Sequence, residues 1–413
     1  MLAFRLPSPI LGLRLLVVWL GITSAAPFIF YVFPWHPHRM LAALVSGVIF
    51  LEIISVKKCI ITKYQLVLFF SSVLTNWLLF FLHYDDFYIA SIIRILNIFI
   101  FFIYIKNFIG VSVFVKSIVI FCQVLIFFNA IIFVLGLLGR LTVPEIFVVD
   151  DRDYYNFILS VALTTVVFNF GEVTFIRAGG YFDEPGAFAL FITYALLFNK
   201  LSIDDKRSER IMIFGGLLTF SFAYFISLFL YLIFLKNSPH SVIILVKRIF
   251  KALLFVVVFS AVFLLLSPHS DFASFGRDVL ISRFIDRPEN HVDPRIVEFE
   301  IATEHMLDSP IFGTGFSNFR DTHEEGIGST PLGPIVFHGF LGAFFLFLPI
   351  FYLIFSCHKL LFDKRMRYIF FGVIIIIGLN IMQRPFIDMV MIYVFILTTI
   401  ELIKNHNNKL KKS

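Results

Sequence analysis

The sequence predicts an all-α polytopic membrane protein with about ten to twelve helical crossings, and three observations carry that prediction. Of 413 residues, 59% are hydrophobic, 57 are Phe and only 15% are charged, so apolar surface exceeds what a water-soluble domain of this length can bury. Apolar stretches of about twenty residues recur from end to end, each long enough to cross a hydrocarbon core of roughly 30 Å as a helix. Lysines and arginines gather in short connections between these stretches. Lipid is then the solvent, and helices follow because unpaired backbone groups in lipid cost several kcal/mol each.

Taken in order, the candidate spans are 10–33, 40–56, 64–82, 87–105, 117–138, 186–201, 211–235, 249–267, 332–356, 368–383 and 386–403. Arg5 and Arg14 precede the first apolar run without a small-residue cleavage site, which reads as a retained helix rather than a signal peptide. The segments Lys57 to Lys63, Lys200 to Arg210, Lys236 to Lys251, His358 to Arg367 and Lys404 to Lys412 are basic and belong on the cytoplasmic side. Two of them flank 211–235, so that segment must enter and return. Centred on Thr219, Ser221 and Tyr224, it fits two short tilted helices or a re-entrant hairpin. Counting it twice makes twelve spans with both termini cytoplasmic and leaves 139–185 and 268–331 outside. The chain thus divides into N-terminal membrane helices 1–138, an outer loop 139–185, central membrane helices 186–267, a large outer loop 268–331 and C-terminal helices with a tail, 332–413.

The large loop has the composition of a translocated segment: no lysine, twelve Asp/Glu, five Arg and four His. Segment 156–170 is apolar but only fifteen residues long, which suits an interfacial or inward-dipping piece better than a span. The net charge of +6 is spread over cytoplasmic loops, and nothing points to nucleic acid. Cys59, Cys122 and Cys357 lack metal-ligand or disulfide-framework spacing, and His291, His305 and His323 are too dispersed for a metal site, so no metal and no cofactor are expected.

Two constellations carry chemistry. Arg177-Ala-Gly-Gly-Tyr-Phe-Asp-Glu-Pro-Gly-Ala187 stands outside, immediately before a helix opened by Pro185. Gly179 and Gly180 allow close backbone approach, the helix N-terminus attracts anions, and the planar fork of Arg177 suits a diphosphate. The competing reading is an interfacial arginine beside an ordinary turn. The second runs from Asp293-Pro294-Arg295 to Ser309-Pro310-Ile-Phe-Gly313-Thr-Gly315. Its cap and proline start a helix on which Arg295, Glu298, Ala302 and His305 fall within about 80° of one another, a cation, a carboxylate and an imidazole on one face. A solvated helix with internal ion pairs competes with that reading. Gly313 and Gly315 make a turn whose amides could meet a phosphate, without the lysine and strand of a nucleotide-binding loop. Within the spans, Arg94 either neutralises a lipid diphosphate or pairs with a neighbouring helix, and Arg384 tops the hairpin that breaks the last apolar stretch.

In this order, Arg177-x-x-Gly180-x-x-x-Glu184-Pro185, Thr219-x-Ser221, Arg295, Pro310-x-x-Gly313-x-Gly315 and Gly339-x-x-Gly342 resemble the O-antigen polymerase and ligase superfamily across residues 170 to 345. The resemblance implies a GT-C-like fold in the bacterial cytoplasmic membrane. It also implies a metal-independent, inverting glycosyltransferase that joins undecaprenyl-diphosphate-linked oligosaccharides at the outer face, with a chain-length regulator as partner. Arg177 and Arg295 match the arginines that hold the donor diphosphate, and Glu184 the carboxylate that follows the first. The general base is then His305 or Glu184. The ligase branch has a His-Asn shortly before the glycine pair, whereas this chain has Gly328-Ser-Thr-Pro-Leu332, which favours polymerase over ligase. A flippase is the competing class, set against by charge concentrated in an outer loop rather than in the spans.

Overall fold

The computed structural model describes residues 8–24, 37–56, 60–141, 145–149, 152–157, 162–164, 167–170, 173–182, 184–236, 294–323, 330–357, 364–383 and 390–410, with single positions 244, 247 and 250. Apart from position 250, the candidate span 249–267 lies outside the described residues, as do the loop segment 268–293 and Arg384. Described helices are α1 (Pro9–Ser24), α2 (Pro37–Ser55), α3 (Lys63–His83), α4 (Asp86–Tyr104), α5 (Val111–Leu137), α6 (Pro185–Phe198), α7 (Lys206–Leu217), α8 (Phe222–Leu230), α9 (Pro294–Asp308), α10 (Phe316–Thr322), α11 (Gly333–Cys357), α12 (Lys364–Gln383) and α13 (Val390–Leu410). Helices α4, α6 and α8 each continue into a π-helical turn, Ile105–Ile109, Asn199–Ile203 and Tyr231–Leu235.

Five segments among the described residues are long and apolar enough to cross a membrane: Lys63–His83, Asp86–Ile109, Val111–Leu137, Pro185–Ile203 and Gly333–Phe355. Shorter apolar helices cover Pro9–Ile22, Met40–Ser55, Phe222–Leu235 and Arg367–Met382. The chain is a multi-pass, predominantly helical membrane protein. Local signals set the ends. Thr62 and Gln65 form a reciprocal capping box at the start of α3, and Tyr84 in the left-handed region closes its end and turns the chain into α4. The centre of the bundle is α6, where every residue from Ala187 to Phe198 is buried, as an all-round apolar helix requires.

Within residues 139–185 the structure adds short strands to the predominantly helical chain. Strands β1 (Glu145–Val149), β2 (Arg152–Asn156) and β3 (Leu163–Thr164) form an antiparallel sheet in that order, and β4 (Val167–Phe170) pairs with β5 (Val173–Ile176). Part of the apolar stretch 156–170 is therefore strand. Val149 faces Arg152 and Phe170 faces Val173, so two residues separate each pair of facing ends, Asp150-Asp151 and Gly171-Glu172. Runs such as Val-Thr-Phe-Ile are β-branched and aromatic, and short segments of this kind favour the pleated ladder over a helix that cannot reach spanning length.

Segment 211–235 is broken in two. Between α7 and α8 the chain reverses through Phe220, which has φ of 46°. The Tyr224 hydroxyl donates to the Met212 carbonyl at 3.0 Å, and the Tyr231 hydroxyl donates to Glu209 Oε1 at 3.0 Å. In one continuous helix Glu209 and Tyr231 would stand about 33 Å apart. The two helices therefore form an antiparallel hairpin, and the ring of Tyr224 lies where a Cβ on Gly216 would be. Helix α11 is interrupted too, at Gly339 with φ of 64° and ψ of 179°.

Polar contacts mark the two ends of the bundle. At one end Arg14 bridges Glu52 at 2.5 Å, Tyr104 donates to the same carboxylate, Lys106 pairs with Glu401 at 3.6 Å and Lys404 donates to the Tyr352 hydroxyl. At the other end the α3–α4 turn meets residues 312–317.

Candidate functional site

The Arg177 motif does not stand open to water. Residues 175 to 182 are all buried, and the guanidinium reaches the tip of the α7–α8 hairpin. Arg177 Nε donates to the Thr219 carbonyl and Nη2 to the Phe220 carbonyl, both at 3.1 Å. These are carbonyls that the end of α7 leaves without helical partners, so a cation there satisfies both the hydrogen bonds and the negative end of the helix. The Ala178 amide donates to the Leu218 carbonyl at 3.0 Å. Phe220 packs between Phe133 and Phe175, with ring centroids 6.4 and 4.9 Å away. Gly180 has φ of 67°, its amide donates to Asn129 Oδ1 at 3.3 Å, and a Cβ there would press on the Phe188 ring at 2.9 Å. Two of the five donors of Arg177 are thus spent on holding the hairpin tip.

Glu184 is the N-cap residue of α6, and Pro185 opens that helix, as the sequence pattern indicates. Its backbone is extended, its carbonyl accepts from the Ala187 and Phe188 amides, and its side chain does not cap the helix.

The second constellation gathers on the α3–α4 turn. Asp85, buried, is the N-cap of α4 and accepts from the Phe87 amide at 2.9 Å. The same carboxylate accepts from the Ser317 amide at 2.7 Å and the Ser317 hydroxyl at 2.8 Å, so it clasps the start of α10 to the membrane helices. The Phe87 and Phe316 rings stack beside it with centroids 4.3 Å apart. His83 Nε2 sits 3.1 Å from the Phe312 carbonyl, and the Tyr88 hydroxyl donates to the Phe337 carbonyl at 2.7 Å. Arg94, two turns into α4, lies with its guanidinium carbon 5.3 Å from the centre of the Phe87 ring. Buried His338 packs on Phe87 and Tyr88 and is within electrostatic reach of His83, Arg94 and Asp85.

The glycines expected to present amides to a phosphate serve the break in α11. The Gly313 amide donates to the Ser309 carbonyl at 2.9 Å and the Thr314 amide to the Val336 carbonyl at 2.8 Å. Beyond the break, the Phe340 and Leu341 amides donate to the Pro310 and Ile311 carbonyls at 2.8 and 3.1 Å. Gly313 and Gly339 both need positive φ, and a Cβ on Gly339 would overlap the Ile311 carbonyl oxygen. Gly315, also at positive φ, lies against the His83 ring.

Helix α9 runs from Pro294 to Asp308 and stops before Ser309-Pro310, as its sequence signals predict. Ala302 on its inner face packs on Phe319 and Val336. His305 follows on that face, its ring centroid 5.0 Å from both Phe319 and His323. The structure thus brings the two imidazoles of the 294–323 segment together, edge to face. Arg295 occupies the first turn of α9, where only its backbone is described.

Asp85, His83 and His338 were not singled out from the sequence. The Asp85-Asp86 pair before an apolar run is a recognisable cap signal; His338 carries none, because its neighbours come from α4. Among the described residues no group of three His, Cys, Asp or Glu side chains could hold a metal ion. No protein-family model matches the chain, and no curated protein matches it.

Proposed function

We propose that this chain is a glycosyltransferase of the bacterial cytoplasmic membrane, a polymerase that joins undecaprenyl-diphosphate-linked oligosaccharide repeat units at the outer face. The observation that carries this reading is that its ordered motifs fall on irregular backbone. Arg177 holds the tip of the α7–α8 hairpin, and Pro310-x-x-Gly313-x-Gly315 holds the break at Gly339. Irregular backbone at membrane depth is tolerated only where protein or a lined cavity satisfies it, and non-glycine residues held at positive φ, as Phe220 is, cluster at functional sites.

In the proposed reaction an acceptor sugar hydroxyl attacks the anomeric carbon of the donor, the carbon–oxygen bond to the diphosphate breaks, and undecaprenyl diphosphate leaves with the electron pair. Attack from the opposite face inverts the anomeric centre. Arg177 and Arg295 balance the charge that gathers on the leaving group, with Arg94 and Arg384 as further cations toward the lipid diphosphate. His305, beside His323, or Glu184 takes the hydroxyl proton, worth about 10²–10⁴ in rate.

Cells lacking the protein, complemented with wild type, Arg177→Ala, Arg177→Lys or His305→Ala at matched membrane levels, provide the test on a gel of surface polysaccharide. Loss of the long ladder with single repeat units still on their carrier is the expected result. Full-length chains left on the carrier point instead to a ligase. The interrupted α11 and the hairpin also favour a second reading, a transporter, since transporters build substrate sites at discontinuous helices. Repeat units trapped at the cytoplasmic face would select it.

A further inference from the structure

The outer segment carries apolar side chains that no part of the described chain covers. Leu307 is 70% exposed, Ile311 59% and Phe312 40%, all at the corner where α9 gives way to the glycine turn. Isolated exposed side chains need no explanation, but these have a definite neighbour. On α11, Phe340, Phe344 and Phe351 recur at helical spacing within about 40° of one another and are all exposed, a stripe that in a membrane span meets acyl chains. The Phe340 and Leu341 amides bond to the Pro310 and Ile311 carbonyls. That pairing sets the backbone of Pro310 and Ile311 beside the first turn of the stripe, so exposed apolar residues of the corner adjoin those of the span.

We infer that the 307–312 corner is submerged in the outer leaflet, with lipid acyl chains as its occupant, so that residues expected to stand in water form a monotopic foot beside α11. Continuity with the lipid-facing stripe selects the occupant. An apolar corner in water would expose Leu, Ile and Phe together, whereas in the leaflet edge the same side chains are solvated by acyl chains. Glu300, Glu304 and Asp308 on α9 are exposed and charged, so the corner lies at the headgroup boundary, with these carboxylates in water and its apolar side chains against acyl chains. The inference goes beyond the glycosyltransferase reading and does not depend on it. Where that reading holds, a lipid-borne substrate reaches His305 without leaving the leaflet.

Spin labels at Ile311→Cys and Leu307→Cys test the inference in the full chain, with its three native cysteines replaced and the protein reconstituted in phosphatidylethanolamine–phosphatidylglycerol vesicles. Labels at Phe344→Cys and Glu300→Cys supply the lipid and water references. The expected result is a ratio of oxygen to nickel-chelate accessibility at 311 and 307 that matches position 344 and exceeds position 300. Nickel access at 311 equal to that at 300 overturns the inference, as does a nickel-accessible 344, which removes the lipid stripe itself. If the 311 variant fails to fold, the more exposed position 307 decides by the same comparison. The readout is depth, so its outcome is separate from any loss of the polysaccharide ladder.

Discussion

Asp85 concentrates more of the architecture than its position in a two-residue turn suggests. One buried carboxylate accepts from the Phe87 amide and from both donors of Ser317. Removing it takes away the N-cap of α4 and leaves the part-buried Phe87 and Ser317 donors to water, a loss of about 1 kcal/mol. Asp85→Ala is therefore expected to lower the thermal unfolding midpoint in detergent and to expose the 294–323 segment to protease. Asp85→Asn retains an acceptor for Phe87 but turns an amide NH₂ toward the Ser317 amide, so it falls between wild type and Ala. Asp205 offers a pH-dependent counterpart at the start of α7. Hydrogen bonds from the Ser208 side chain and amide, above all, hold its carboxyl below the ordinary value of 3.8. A folded-state value below the unfolded one contributes stability that is present above pH 3.8 and lost as the pH falls through the folded value. Wild type is thus expected to lose stability relative to Asp205→Asn under acid, measured as unfolding midpoint against pH, while Asp205→Ala loses about 1 kcal/mol of capping near neutrality.

The α7–α8 hairpin is the element on which sequence and structure agree in detail. Charge parity alone required 211–235 to enter and return, and the reversal occurs at the Thr219–Ser221 centre that the parity argument named. Parity could not supply the partner that makes such a tip tolerable in an apolar bundle. That partner, Arg177, is 42 residues earlier than Thr219. Phe220 pays for the reversal with a left-handed backbone, and this inverts the usual ranking of substitutions. Phe220→Ala loses the ring contacts and keeps the strain, whereas Phe220→Gly loses the contacts and relieves it. Gly is expected to be the more stable of the two by about 1 kcal/mol, read from their unfolding midpoints. The strands of residues 145–176 were missed for the opposite reason: their runs are too short to show periodicity against a background this apolar, and only the two-residue spacings between facing ends carried the signal.

At the scale of the whole molecule, sidedness is the property that ties the site to function. Arg14, Glu52, Lys106, Glu401 and Lys404 gather at one end, and the Asp85–Ser317 clasp at the other. Single cysteines at Lys206 and Arg320 are accordingly expected to react from opposite sides. In intact spheroplasts an impermeant maleimide should label Arg320→Cys and spare Lys206→Cys until the membrane is opened. Labelling of both before opening would reject the orientation on which an outer-face polymerase depends.

Membrane residence, the order of the helices, the hairpin, the start of α6 and both ends of α9 were legible in the sequence. Each depends on local quantities: the length of an apolar run, the sign of a loop, a proline or a cap. The tertiary structure alone decided which groups meet. It turned Arg177 inward to the hairpin tip and set His305 against His323. It also used the Gly313 and Thr314 amides to hold an interrupted helix and drew Asp85, His83 and His338 into one cluster. Side chains from helices distant in sequence approach one another only once the bundle has packed. A buried polar group must then find its partner wherever packing puts one, which no local pattern encodes.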